Sequence, residues 1–234
     1  MLPSSIERVS ELVGERALVL DVGGWAKPLA RADWVIDLMP YETRGLYGES
    51  DPEPERFRSE TWVERDICDR EPWPFDDAQF DFAVCSQTLE DVRDPVWVCS
   101  EMNRVARSGY VEVPSRLEEQ TFGLHGPWVG WSHHHWMVDV APGQIEFVFK
   151  TAVLQGRPEC QLTAEQAATL TDTERVQTLF WEGGFEARER VFLDADSLDR
   201  YLVDGVAGHR AKLEARLAPA PRGRRWRRLL RRSR

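Results

Sequence analysis

Two short apolar runs joined through a glycine pair constrain this chain more than any other feature. Between Ala17 and Asp37 it reads ALVLDVGGWAKPLARADWVID: one run ends in Asp21, Gly23-Gly24 follow, and a second run ends in Asp37. Each run has strand rather than helix length. A glycine pair after a strand lets backbone approach a ligand closely, because no Cβ intervenes. A carboxylate at the tip of the next strand can accept two hydrogen bonds from a ribose diol. Together they predict a nucleoside-binding crevice at the carboxyl ends of parallel strands. Eleven residues separate Val22 from Trp34, near the minimum of about 10–12 for a parallel crossover. Any helix between them must be very short.

The same alternation continues along the chain. Ser4-Ser5-Ile6-Glu7 fits a capping box, with Ile6, Val9, Leu12 and Val13 on one face of a first helix that Gly14 ends. Strands are expected at Leu18–Val22, Trp34–Leu38, Thr61–Arg65, Phe80–Cys85 and Tyr110–Val113, with a surface loop over 39–60. Asp94-Pro95 opens a helix running to about Arg107, with Gly109 as its stop. The pattern predicts an α/β fold: a Rossmann-like, mostly parallel sheet with helices on both faces. After residue 115 the texture changes. Trp136–Val140 and Ile145–Lys150 flank Ala141-Pro142-Gly143-Gln144 as a hairpin, and Thr178–Trp181 and Phe185–Phe192 flank Gly183-Gly184 as a second. The sheet is therefore expected to end in antiparallel strands. The layout is a domain over 1–193 with a histidine- and tryptophan-rich insertion at about 115–160, a helix over 194–217 capped by Asp194, and a basic tail over 218–234.

Hydrophobic content of 42% supports a packed core, and no apolar run approaches the ~18 residues of a membrane span. The N-terminus lacks the cationic start and apolar stretch of a secretory signal. Cys68, Cys85, Cys99 and Cys160 show no CxxC spacing, so free thiols in a reducing cytoplasm are expected. The net charge is −10, yet residues 222–234 hold eight arginines and no acid. The rest is strongly acidic and suits no specific nucleic acid. In the tail, Trp226, Leu229 and Leu230 follow i, i+3, i+4 spacing among arginines, which fits an anionic membrane surface. The expected location is cytoplasmic, peripheral at the inner membrane face.

Residues 66–113, DICDREPWPFDDAQFDFAVCSQTLEDVRDPVWVCSEMNRVARSGYVEV, resemble the middle of a class I S-adenosylmethionine-dependent methyltransferase, of the small-molecule branch often called type 11. Asp66-Ile67, Pro74-Phe75, Phe80-Asp81, Ser86–Val92, Glu101–Arg107 and Gly109 carry the likeness. With Asp21, Gly23, Gly24 and Asp37 it extends over about 15–115. The resemblance implies S-adenosyl-L-methionine as cofactor. Gly23 and Gly24 would pass the methionine portion, Asp21 would sit near its amino group, and Asp37 would take the ribose hydroxyls. Asp66 would accept from the adenine N6 while Ile67 packs on the ring. Ser86 and Gln87 would lie where the methyl is presented. The chain departs from the family in Trp25-Ala26-Lys27-Pro28, where a third glycine is usual, and in Asp91, where the family often has histidine. If the reaction needs a histidine base, it must come from elsewhere.

Four of five histidines fall between His125 and His135, after the fifth strand, on the side where such enzymes bind acceptors. If 133–136 is extended, His133 and His135 share one face. His133, His135 and His125 are therefore the candidate catalytic residues, because imidazole can take a proton near neutral pH. Trp128, Trp131 and Trp136 offer a wall for an apolar or sugar acceptor, or core packing. The HxH pair plus His125 could also ligate zinc, but no resident metal is expected. The functional expectation is a methyltransferase acting on a small molecule or glycan precursor, with oxygen as the acceptor atom. The rivals are a non-catalytic cofactor-binding protein of the same fold and a metal-dependent hydrolase using His125, His133 and His135.

Overall fold

The computed structural model describes residues 1–46, 48 and 54–218; residues 219–234, with all the arginines of the basic tail, lie outside them. Six strands form the main sheet: β1 (Val19–Val22), β2 (Trp34–Asp37), β3 (Trp62–Glu64), β4 (Phe82–Ser86), β5 (Ser108–Pro114) and β10 (Val176–Glu182). Their order is β10-β5-β4-β1-β2-β3. The first five are mutually parallel and β10 runs antiparallel to β5. This is the doubly wound order 3-2-1-4-5, with its switch point between β1 and β4. The fold is thus the Rossmann-like, mostly parallel sheet expected from the sequence.

Alternation along the strands divides the core into two layers. Val19, Val35, Val84 and Tyr110 face α1 (Pro3–Leu12), where Val9 is buried, and Val13 just beyond it. Leu20, Ile36, Ala83, Cys85 and Val111 face α2 (Pro95–Val105), with Val98, Cys99 and Met102. Asp94 caps α2 by accepting from the Trp97 N–H at 3.1 Å. All four cysteines are buried and free.

Several local expectations are corrected. The Ser4 capping box does not form: Leu2 is the N-cap and Pro3 takes the first helical position. Ser5 instead turns inward and donates to Glu112 Oε2 at 3.1 Å. Gly109 does not stop α2 but lies within β5. A Cβ there would stand 2.3 Å from the Ala83 carbonyl and 2.6 Å from the Trp181 ring, so the glycine is needed for close strand packing. Residues 23–33 contain no helix among the described residues.

After Pro114 the chain leaves the main sheet until Val176. It passes through α3 (Arg116–Glu119), β6 (Thr121–Phe122), β7 (Trp136–Ala141), β8 (Gln144–Phe149), β9 (Leu162–Thr163), α4 (Ala164–Ala167) and α5 (Asp172–Arg175). β7 and β8 form the expected hairpin. The second hairpin does not form. β10 pairs with β5, whereas β11 (Glu186–Glu189) pairs parallel with β8 in a separate sheet. Gly183 and Gly184, at φ 73° and 120°, carry the chain between the two sheets. The last helix, α6 (Ala195–Leu217), packs Tyr201 and Leu202 near Met137 and Val148. Its later residues Val206 and Leu213 meet Leu117, Leu162 and Leu170. No described helix is long and apolar enough to cross a membrane.

Candidate active site

A cavity of about 930 Å³ opens at the carboxyl ends of the parallel strands, at the switch point where doubly wound sheets bind ligands and within the usual size of small-molecule sites. Its lining includes Asp21 within β1, Gly23 and Gly24 just after it, Asp37 at the tip of β2, and Asp66 and Ile67 after β3. Ser86 and Gln87 line it at the end of β4. All eight residues assigned to the cofactor therefore share one cavity.

The structure refines what each can do. Asp21 is buried and accepts from the Leu29 N–H at 2.8 Å. Burial pushes its pKa up to about 7, against the Leu29 hydrogen bond, and the nearby Asp37 charge adds to the rise. Asp37 accepts from Trp25 N–H at 3.0 Å and Met39 N–H at 2.8 Å. Each Asp37 oxygen keeps acceptor capacity, since a carboxylate has about four lone-pair sites. Burial raises its pKa, partly offset by those N–H groups. The glycines serve the protein's own packing as well as access. A Cβ on Gly23, at φ 74°, would stand 2.3 Å from Thr88 Cγ2, and one on Gly24 would stand 2.4 Å from Asp21 Oδ2.

Asp66 is already engaged: Arg93 binds it, and the Cys68 N–H donates at 2.9 Å. Burial is the largest single influence and raises its pKa, but the Arg93 hydrogen bond, the Cys68 N–H and the Arg93 charge together outweigh it and leave the carboxyl below the usual range. An adenine amine there would share the carboxylate with Arg93. Gln87 takes φ 55° at the sharp end of β4, and the Ser86 hydroxyl donates to Glu112 Oε1 at 3.3 Å. The glycine access, the two carboxylates at the strand tips and the cavity volume fit S-adenosylmethionine.

The other half of the cavity holds a cluster that sequence reasoning found only in part. Residues 132–133 form a turn, and β7 begins only at Trp136. The expected extended 133–136 segment, with His133 and His135 on one face, is thereby corrected. His133 and His134 both turn to Asp91 Oδ1, at 3.9 Å and 3.7 Å from their Nε2 atoms. His135 is exposed, its N–H donating to the Glu90 carbonyl at 2.7 Å. His125 is exposed and packs against Trp131 with the rings tilted, centroids 4.8 Å apart. His133, His134 and Trp131 line the cavity; His125 and His135 are not among its lining residues. Trp136 is buried, its indole N–H on the Val92 carbonyl at 2.8 Å, and Trp128 is exposed.

Buried charge supports this cluster. His134 Nδ1 meets Glu119 Oε1, and Lys150 Nζ donates to Glu119 Oε2 at 2.7 Å. Glu119 is 1% exposed. Gly130, at φ 62°, makes room: a Cβ would stand 2.5 Å from the Glu119 carbonyl and 2.8 Å from Lys150 Nζ. Glu90 also lines the cavity at 1% exposure, with both carboxyl oxygens unpartnered, and burial drives its pKa well up. No sequence signal marked Glu119 or Lys150 as partners of the histidines. Asp91 was visible as a departure from the family pattern, but its pairing was not.

Residues 36–111 match the family model described as a methyltransferase domain. No curated protein matches the chain. Among solved structures it is similar to an S-adenosylmethionine-dependent methyltransferase from Mesorhizobium loti, with 16% identity, 62% of this chain and 63% of that one covered, and TM-score 0.35. It is also similar to such an enzyme from Aquifex aeolicus, with 19% identity, 47% and 64% coverage, and TM-score 0.32. A third is a Thermotoga maritima methyltransferase described as a possible histamine N-methyltransferase, with 19% identity, 51% and 53% coverage, and TM-score 0.34. The chain spans little more than half the length of several solved structures it matches. At these scores the fold is read from the strand order itself. The strand order shows the Rossmann-like fold, and within it residues 36–111 are similar to a methyltransferase domain.

Proposed function

We propose that this protein binds S-adenosyl-L-methionine across the ends of β1–β4 and methylates an oxygen of a small molecule or glycan precursor. The observation that carries the reading is one continuous cavity: strand-tip carboxylates Asp21 and Asp37 line one part, and the Asp91–His133–His134 cluster lines another. The cofactor, when bound, supplies a sulfonium methyl carbon open to in-line displacement. The chain's own part is mainly positioning. Asp37 holds the ribose diol and Asp21 faces the amino group. The Asp91–His133–His134 cluster orients the acceptor oxygen, while Trp131 offers an apolar surface. His133 keeps its assigned role, with His134 and Asp91 in the places first given to His135 and His125.

Adenosylhomocysteine titration by calorimetry tests this. Wild type should bind one equivalent, and Asp37→Ala should weaken binding at least tenfold. A hydrogen bond to a charged group contributes about 1.5–3 kcal/mol, and each 1.4 kcal/mol is about tenfold. Unchanged affinity in a folded Asp37→Ala protein removes the ribose assignment. A non-catalytic reading draws on the Trp25 and Met39 N–H bonds already on Asp37. Tight ligand binding without transfer across a broad panel of hydroxylated acceptors favours it. The reading includes a location at the inner membrane face through residues 222–234, which rests on their sequence alone.

A further inference from the structure

Resting on the methyltransferase reading of this cavity, we propose that Asp91, His133 and His134 bind a divalent first-row transition cation facing the acceptor side. One oxygen and two nitrogens from these residues all lie within 4.8 Å of one another. Asp91 Oδ1 stands 3.7 Å and 3.9 Å from the two imidazole Nε2 atoms. Those separations are too long for hydrogen bonds. They are close to the spacing of two ligands on one ion: bonds of about 2.0–2.2 Å at tetrahedral angles put donor atoms roughly 3.4 Å apart. Closing the two Asp91 pairs to that spacing takes a few tenths of an ångström, and closing the widest pair takes up to about 1.4 Å.

Two further features point to a ligand. Asp91 Oδ1 is buried and makes no hydrogen bond, although two imidazoles face it. His134 presents Nε2 toward Asp91 while its Nδ1 is held by the buried Glu119, which Lys150 anchors in turn. A carboxylate on the far nitrogen of a ligating histidine fixes ring orientation and raises basicity, a recurrent feature of metal sites. Glu119–Lys150 therefore acts as a positioning pair and leaves Nε2 free to ligate. A set of two imidazoles and one carboxylate favours zinc, iron, cobalt or manganese over magnesium or calcium. Trp131, His133, His134 and Asp91 all line the cavity, so the remaining coordination positions face the acceptor. The acceptor class this implies carries an oxygen donor, a hydroxyl or carboxylate, beside the atom that is methylated.

The test uses the full chain, made without a polyhistidine tag and stripped with chelator, then titrated separately with Zn²⁺, Mn²⁺ and Mg²⁺. One equivalent of Zn²⁺ or Mn²⁺ should bind, and Co²⁺ should give a visible absorption band. His133→Ala and Asp91→Ala should each weaken binding at least 100-fold, whereas His125→Ala and His135→Ala should leave it unchanged. His133 is more than half exposed, so its loss should leave the melting curve in place and separate ligation from folding. Absence of stoichiometric Zn²⁺ and Mn²⁺ binding, binding of Mg²⁺ alone, or equal binding by His133→Ala and wild type overturns the proposal. Adenosylhomocysteine is titrated into the same samples. Nucleoside binding without metal binding overturns the cation site alone, and metal binding without nucleoside binding overturns only the cofactor reading.

Discussion

Replacing Asp21 with asparagine should remove a pH-dependent weakness that the fold carries at its binding crevice. Asp21 is 4% exposed, and its pKa rises from 3.8 to about 7, chiefly through burial. Its folded-state pKa is above its unfolded one, so between about pH 4 and pH 7 the folded protein holds a proton that the unfolded chain releases. Stability therefore falls as pH rises through that window. A rise of about three units, at 1.36 kcal/mol each, corresponds to about 4 kcal/mol. Asparagine has nearly the same shape, keeps an oxygen for the Leu29 N–H and never ionises. Urea unfolding of both proteins, followed by tryptophan fluorescence from pH 4 to pH 8, gives the difference in unfolding free energy. That difference should move by about 4 kcal/mol in favour of the variant as pH rises. Parallel profiles, with a difference changing by less than about 1 kcal/mol, would refute the assignment of a buried, protonated Asp21. If the ammonium of adenosylhomocysteine sits beside Asp21, binding near pH 6.5 should release a proton from wild type. Calorimetry in buffers of different ionisation enthalpy should show that release, and the variant should lack it.

Other expectations follow from the same contacts. Gly23→Ala combines a positive φ with a Cβ 2.3 Å from Thr88 Cγ2 and should cost about 1–3 kcal/mol, read as a lower urea midpoint. Lys150→Met leaves Glu119 without its ammonium partner at a buried position; loss of about 3–5 kcal/mol is expected, and a change below 1 kcal/mol would show the pair to be dispensable. Truncation after Pro221 should abolish co-sedimentation with vesicles containing anionic lipid, and added salt should weaken the full-length interaction, because arginines near such a surface contribute about 1 kcal/mol each. Equal sedimentation by both proteins would end the membrane proposal.

Local chemistry made the crevice legible before any coordinates. Apolar runs ending in Asp21, Asp37 and Ser86 have the length of buried strands with polar tips, and parallel pairing brings those tips to one side of the sheet. Strand existence, the glycine turn, the cap at Asp94 and the hairpin around Gly143 all depend on residues close in sequence, so the sequence determined them. Partner choice was decided at longer range. Gly183-Gly184 reads as a hairpin turn, yet Trp181 lies beside Gly109 and Ala187 beside Ile145, partners 72 and 42 residues away that no local turn signal reports. The histidine segment shows the same division. Its composition marked it as functional, but alternation assumed a strand, and a turn at Ser132-His133 put His134 where His135 was expected. That turn is accompanied by Glu119 and Lys150, 15 residues before and 16 after His134, whose buried charges close on its imidazole. A buried carboxylate must find its donors wherever the fold brings them, and only the tertiary structure could bring these together.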